Sequence, residues 1–280
     1  IIRGLNGPSS NEEYHKNSTH YSSSQIKTLF WDQDKFHNEY ILGNKQPMKQ
    51  SDGLILGTLI HTRLLEGHLY DNQVAVCPEF TKRGHAFKNF EAANPGKLCI
   101  SGGQALQLEN MEKAYKANKT AVNLIDNCKT EVTIGSEILG IPVKIRCDGL
   151  DIENGRIVDI KSTAYSVEID VFRQNAYSQM LSYDISAAFY TMAAEQEFGK
   201  PFDFYYVAIS KSEYKCEVFK SSQTSLINGR NKIFKALEKL NYFRVHGQWP
   251  DTGIKKSTSN ITREASAGAS WSGPAAPPAG

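Results

Sequence analysis

KIRCDGLDIENGRIVDIKS, residues 144–162, has the pattern of a β-hairpin. The spacing predicts a strand over Val143–Leu150, a turn at Asp151-Ile152-Glu153-Asn154-Gly155 and a return strand over Arg156–Ser162. Asn-Gly between two apolar-rich runs is a strong hairpin signal. Side chains alternate faces along a strand. Lys144, Arg146 and Asp148 therefore share one face, and Val143, Ile145 and Cys147 the other. On the return strand Asp159 and Lys161 share a face, with Ile157 behind them. Two acids and a lysine can thus converge where the strands cross. Carboxylate oxygens are what a hard cation such as Mg²⁺ takes. A lysine beside them can orient or deprotonate a water, or stabilise charge on a phosphoryl group. The competing reading is a solvated sheet face, the usual fate of polar residues that alternate with apolar ones along a hairpin.

The composition bounds the function classes. The 280 residues are 40% hydrophobic and 22% charged, which suits one large globular domain or two small ones. A net charge of +2 excludes a uniformly basic coat, so any grip on nucleic acid has to come from a local patch. No apolar run approaches the ~20 residues that span a bilayer. The five cysteines, Cys77, Cys99, Cys128, Cys147 and Cys216, form no C-x-x-C pair, which weakens zinc and iron–sulfur readings. Such a scattered, odd set fits reduced thiols in a cytosol. No signal-peptide pattern is visible, and an opening Ile1 in place of Met leaves residues ahead of it as an open expectation.

Outward from the hairpin, the chain divides into a lead-in over 1–10, a domain over 11–250 and a Gly/Ala/Pro/Ser-rich segment over 251–280, expected to be a tail or an appended remnant. Ser22-Ser23-Ser24 caps a helix carrying Ile26, Leu29 and Phe30. Ser51-Asp52 opens a second helix, closed by Gly67 as a C′ residue. Gly57 and His61 lie four apart on one of its faces. A lone histidine on an apolar helix is more often a core residue than a ligand. Residues 72–77 read as a strand, followed by a loop with Lys82, Arg83, His85 and Lys88 that leads to a short helix. Helical spacing returns over 103–120, and 130–139 pairs with the opening hairpin strand. Residues 167–198 read as helix, in one piece or two, with Gln179 and Tyr183 four apart on one face. Strands over 203–209 and 214–219 and an amphipathic helix over 221–245 complete a mixed α/β (α+β) core.

With these residues laid out, the chain resembles the PD-(D/E)XK nuclease superfamily, and within it the RecE (exonuclease VIII)-like exonucleases of phages and bacteria. NEEYHKNSTHYSSSQIKTL is similar to that group's opening segment. GTLIHTRLLEG is similar to its G-x-x-x-H helix. Asp148, Asp159-Ile160-Lys161 and Gln179-x-x-x-Tyr183 then follow in family order. Acid-x-Lys alone is common by chance; the ordered set is specific.

The resemblance implies a restriction-endonuclease-like core, a mixed sheet flanked by helices. It implies Asp148 and Asp159 as metal-binding carboxylates, with the main-chain carbonyl of Ile160 and with His61 as further ligands. Lys161 would position or activate the attacking water, and Gln179 and Tyr183 would steady the site and the DNA backbone. Glu131 would lie near the metals, and Arg146, Lys82 and Arg83 are candidate DNA contacts. The cofactor implied is Mg²⁺, with Mn²⁺ as a substitute. The activity implied is metal-dependent exodeoxyribonuclease action on linear double-stranded DNA, 5′→3′, leaving 3′ single strands for recombination by annealing. The partners implied are DNA ends, a RecT-like single-strand annealing protein and further copies of the chain in a ring-shaped homo-oligomer. The setting implied is a bacterial or phage-infected cytoplasm, without a membrane. The alternatives are a RecB-like single-strand nuclease or endonuclease of the same superfamily, or a catalytically inert DNA-binding module.

Overall fold

The hairpin forms, but its strands run together for only three residue pairs. The computed structural model describes residues 3–8, 11–16, 18–46 and 51–250. In chain order its strands are β1 (Gly4–Pro8), β2 (Tyr21–Ser22), β3 (Val74–Cys77), β4 (Leu98–Ser101), β5 (Lys129–Ile138), β6 (Ile141–Asp151), β7 (Arg156–Thr163), β8 (Asp203–Ser210) and β9 (Cys216–Lys220). β6 and β7 pair antiparallel at Gly149–Val158, Leu150–Ile157 and Asp151–Arg156. Beyond that point they splay, and β7 runs parallel to β8 along its whole length. The turn is closed by Asp151, whose carboxylate accepts from the Asn154 main chain at 3.0 Å and from its side-chain amide at 2.8 Å.

The main sheet runs β1-β5-β6-β7-β8-β9, with β2 paired parallel to β6. It is mixed, as expected: all neighbours on the path except β7 and β8 are antiparallel. Residues 4–8, expected to be a lead-in, are an edge strand of this sheet, paired with β5. Gly and Pro mask the strand pattern there, and Pro is tolerated at a sheet edge. A separate two-stranded parallel sheet joins β3 to β4, residues 98–101, a strand not among those expected from the sequence.

Helices cover both faces. One face buries Ile134, Ile145 and Ile157 against Ser23–Trp31, Ile169–Ala176, Tyr183–Phe198 and Gln223–His246. The other buries Val158, Ile160, Val207 and Ile209 against Asp52–Leu65, Gly102–Ala117 and Lys119–Asp126. β7 thus has apolar residues of both parities in the core, as a strand covered on both faces requires. Tyr183–Phe198 is buried almost all round over its first three turns and crosses Gln223–His246 closely: a Cβ on Gly229 would lie 2.1 Å from the Asp184 carbonyl oxygen. Gly67 stands at C′, directly after the Glu66 cap of Asp52–Leu65, but without a positive φ, and it also begins the next helix, Gly67–Gln73. Among the described residues no helix is long and apolar enough to cross a membrane. The proposed tail over 251–280 lies outside the described residues.

Candidate active site

Where β6 and β7 part, a ladder hydrogen bond is missing and a side chain replaces it. The Asp148 carboxylate, from β6, accepts the main-chain N–H of Ile160, on β7, at 2.7 Å. In an extended strand a residue's N–H and C=O project to the same side, so the Ile160 carbonyl is turned toward the same gap. The Ile160 side chain is fully buried on the face covered by Asp52–Leu65, Gly102–Ala117 and Lys119–Asp126. The geometry therefore brings Asp148, Asp159, the Ile160 main chain and Lys161 to one point.

His61 arrives from the helix Asp52–Leu65. Its Nδ1 lies 3.3 Å from Asp148 Oδ2. Gly57, one turn earlier, faces the same strand: a Cβ there would meet Ser162 Oγ on β7 at 3.0 Å, so that hydroxyl or the helix would have to give by a few tenths of an ångström. The G-x-x-x-H spacing thus has a packing reason as well as a chemical one. Lys161 Nζ lies 2.5 Å from Asp159 Oδ2 and 5.5 Å from the centre of the Tyr183 ring.

Burial sets the electrostatics, and a neighbour then compensates each charge. Burial alone pushes Asp148 up, but His61, Lys161 and the Ile160 N–H outweigh it and hold the carboxyl below its ordinary value. Asp159 is pushed above its ordinary value by burial and by the Asp148 charge, with Lys161 offsetting only part. Burial pulls Lys161 down, but Asp159 and Asp148 raise it past the ordinary lysine range. For His61 burial again acts downward, and the charge and hydrogen bond of Asp148 reverse it to a net rise. For Asp148, Lys161 and His61 the partner outweighs burial, whereas for Asp159 burial and the Asp148 charge win.

His61, Asp148, Ile160 and Lys161 line a cavity of about 420 Å³ together with Glu131, Arg146 and Lys211, while Asp159 is not part of its wall. Glu131 lies across from Asp148 in the β5–β6 register, with φ of 56° in an otherwise extended strand. A left-handed non-glycine residue costs roughly 1–2 kcal/mol. Here it aims the carboxylate at Arg146, 2.6 Å away, with Glu66 of the neighbouring helix end 3.9 Å from the same guanidinium. Burial raises Glu131 to about 7, the Asp148 charge adds to the rise and Arg146 opposes it. Arg146, expected as a DNA contact, is thus an internal counter-charge to two acids. Lys144 is also turned inward, its Nζ 2.6 Å from the Tyr14 carbonyl while the Tyr14 hydroxyl donates to the Lys144 carbonyl at 3.1 Å.

Gln179 and Tyr183 do not share a helical face. The helix Ile169–Ala176 ends, a turn follows, and Ser182 stands left-handed at φ 42° before Tyr183 starts the next helix. Gln179 is exposed in that turn, whereas Tyr183 is buried against Lys161. The break is held by Lys27, which donates to the Leu181 carbonyl at 2.6 Å, and by the Trp31 indole, which donates to Ser182 Oγ at 2.8 Å. Nothing in the sequence pattern marks Lys27. Burial, then the Lys161 charge, lowers it to about 8. The expected contacts Lys82 and Arg83 sit apart, around a separate surface depression, and Lys82 Nζ is 3.1 Å from Asp52 at the start of the His61 helix.

The donor chemistry fits a hard divalent cation. Two carboxylates, an imidazole and a main-chain carbonyl meet there, and Asp159 Oδ2, although beside Lys161, makes no hydrogen bond of proper geometry. Among the described residues no three His, Cys, Asp or Glu side chains already surround a common point; the acids face His61 and Lys161 instead.

A profile of the family described as "PDDEXK-like domain of unknown function (DUF3799)" matches residues 22–257. Among solved structures, a "Putative exonuclease" from Eubacterium rectale superposes with a TM-score of 0.63 at 17% identity, covering 87% of this chain and 89% of that one. At that identity the likeness is one of fold. A second structure, SSO0001, reaches a TM-score of 0.26 at 14% identity, over 64% of this chain and 85% of that one, and carries no argument. Comparison with curated protein sequences gives no match.

Proposed function

Since the chain belongs to this PDDEXK-like family, we propose that it is a divalent-metal-dependent exodeoxyribonuclease, acting 5′→3′ on linear double-stranded DNA and leaving 3′ single strands. The observation that supports it most is the Asp148–Ile160 hydrogen bond at 2.7 Å, because it joins the acid of one strand to the Asp159-Ile160-Lys161 triplet of the other. In this reading Asp148, Asp159, the Ile160 carbonyl and His61 hold the ion, with Mg²⁺ expected and Mn²⁺ as a substitute. Bound there, the ion supplies Lewis-acid neutralisation of phosphoryl charge and a water of lowered pKa. Lys161, whose net shift upward keeps it charged, donates to the phosphoryl oxygens or orients the water. Tyr183 packs beside Lys161 and limits its rotation. Gln179, exposed in the turn, is free to meet the DNA backbone from outside.

The proposal extends to a ring-shaped homo-oligomer and to a RecT-like annealing partner for the 3′ strands, in a bacterial or phage-infected cytoplasm. Digestion of linear duplex labelled at either the 5′ or the 3′ end, with Mg²⁺ and with closed circular DNA alongside, tests the reaction. Early release of the 5′ label and intact circles are expected. Early release of the 3′ label overturns the polarity, cut circles favour an endonuclease, and no hydrolysis with any divalent ion favours an inert DNA-binding module.

A further inference from the structure

Resting on the nuclease reading above, we propose that Lys211 is a positioning residue that holds a DNA phosphate at the mouth of the cavity. Lys211 directly follows β8, and its main-chain N–H donates to the Thr163 carbonyl at 2.8 Å, which fixes it beside the end of β7. Its side chain forms part of the wall of the cavity that holds His61, Asp148 and Lys161. There Nζ donates to the Gly53 carbonyl at 3.1 Å.

The charge balance of the cavity selects this residue. Lys161 is paired with Asp159, Arg146 with Glu131 and His61 with Asp148. Lys82, from the neighbouring loop, is paired with Asp52. Lys211 is held by a neutral carbonyl, with no acidic partner among the described residues. An ammonium has three donors, so Lys211 keeps two of them and its whole charge for an anion. Burial lowers its pKa, as expected of a cation that lacks a counter-charge. The acids of the floor repel DNA, so a cation at the rim is where the backbone of an incoming strand can be held beside them. The competing role is mechanical: the bond to Gly53 pins the His61 helix to the end of β8.

Salt dependence separates the two roles, because a protein with one fewer cation on the phosphates shows a slope of log affinity against log salt shallower by about one unit. Binding of a linear duplex is measured at several salt concentrations with Ca²⁺ in place of Mg²⁺, alongside cleavage with Mg²⁺, for wild type, Lys211→Gln, Lys211→Met and Lys211→Arg. Lys211→Gln keeps a donor for Gly53 and guards against a variant that fails to fold. The expected result is that Gln and Met each weaken binding about fivefold, lower the slope by about 1 and raise KM more than they lower kcat, and that Arg restores all three. A wild-type slope in Lys211→Gln, with or without a lowered Tm, overturns the inference and leaves the mechanical role. A wild-type protein that neither binds nor cleaves DNA is a different result and overturns the nuclease reading itself.

Discussion

The splay of β6 and β7 and the loop after β3 both set cations beside acids, and they do so in opposite ways. At the splay, Asp148, Asp159, Lys161 and His61 come from strands and a helix packed into the two core layers, and each has an oppositely charged neighbour within 3.3 Å. In the loop, Arg83 is exposed, and Lys82 pairs with an Asp52 side chain that is itself 70% exposed. Solvent screens the loop pair to a fraction of a kcal/mol. Burial makes each partner at the splay costly to remove. Chemistry that needs fixed geometry belongs to the first region, and adjustable contact with a large ligand belongs to the second.

The largest expected effect lies at the splay. Asp148→Asn and Asp159→Asn preserve shape but remove the charge that holds a cation, so each should lower cleavage of linear duplex with Mg²⁺ by about 10³-fold or more. Circular dichroism and thermal melting check that the fold persists. Near-normal cleavage by either folded variant would erase the distinction between the two regions. Asp148→Asn keeps an oxygen for the Ile160 N–H, so an inactive variant there does not simply report a broken hydrogen bond.

Arg146 gives the next largest effect, read as stability. Its side chain is 12% exposed and that of Glu131 10%, so removal strands a buried carboxylate beside Asp148 at a cost of about 3 kcal/mol. The cost depends on pH. Glu131 is raised by burial to about 7, above the ordinary ~4.3 of an unfolded Glu. A raised acid contributes in full below its unfolded value and loses that contribution as pH rises from there through its folded value, and removing Arg146, which opposes the rise, moves the folded value higher and carries the loss to higher pH. Arg146→Met should therefore lose more stability at pH 8 than at pH 6 in chemical denaturation. Adding Glu131→Gln should recover most of the loss. If the double variant is no more stable than the single, the pair is not coupled and Arg146 returns to the role of a DNA contact.

Arg146 also marks where the sequence stopped being legible. Alternation placed Lys144, Arg146 and Asp148 on one strand face, and that survives. Alternation cannot say what a face looks at. Arg146, opposite Thr133 in the β5–β6 register, reaches Glu131 two residues away on β5, and Lys144 meets Tyr14, 130 residues away in the chain. Gly57 and His61 were legible because helical spacing alone puts them on one face. Gln179 and Tyr183 have the same spacing but not a shared face, because the left-handed Ser182 and its tether to Trp31 are tertiary facts. Lys27 and Lys211 carried no motif, and only burial and the charge balance around them bring them forward. The mixed sheet is legible in outline because its long strands are strongly patterned; β1 is hidden by its Gly and Pro, and β4 by its position directly before the helix Gly102–Ala117.

His61 tests the boundary between the regions at a smaller scale. Burial lowers its pKa, but Asp148 more than compensates, so the protonated pair stabilises the fold at low pH. That contribution is whole below the ordinary ~6.5 and is lost as pH rises through the higher folded value. A metal ligand has to be neutral. The Mg²⁺ concentration for half-maximal cleavage should thus rise as pH falls, with an onset above about 6.5. His61→Asn should raise that concentration about tenfold at pH 8 and flatten its pH dependence. A variant with a lower Tm but the wild-type metal requirement at every pH would leave His61 as packing.

The smallest effect belongs to the loop, and it asks whether solvent-screened cations matter at all. Lys82 already leans on Asp52, the first residue of the His61 helix, so the loop is tied to the element that carries a proposed ligand. Arg83 has the freedom that Lys82 lacks: it is exposed and is followed by Gly84 at φ 98°, a conformation that costs glycine little. Gly84 in turn caps the helix His85–Ala93. If the loop holds a DNA end, Arg83→Ala should weaken the preference for 5′-phosphorylated over 5′-hydroxyl ends about twofold to threefold and lower the salt slope of binding by about 1. Hydrolysis of DNA already engaged should stay unchanged, since the chemistry rests on the buried floor. Equal weakening for both kinds of end makes Arg83 a general backbone contact. No change in either measurement makes the loop a solvated surface, and the comparison then reduces to the splay alone.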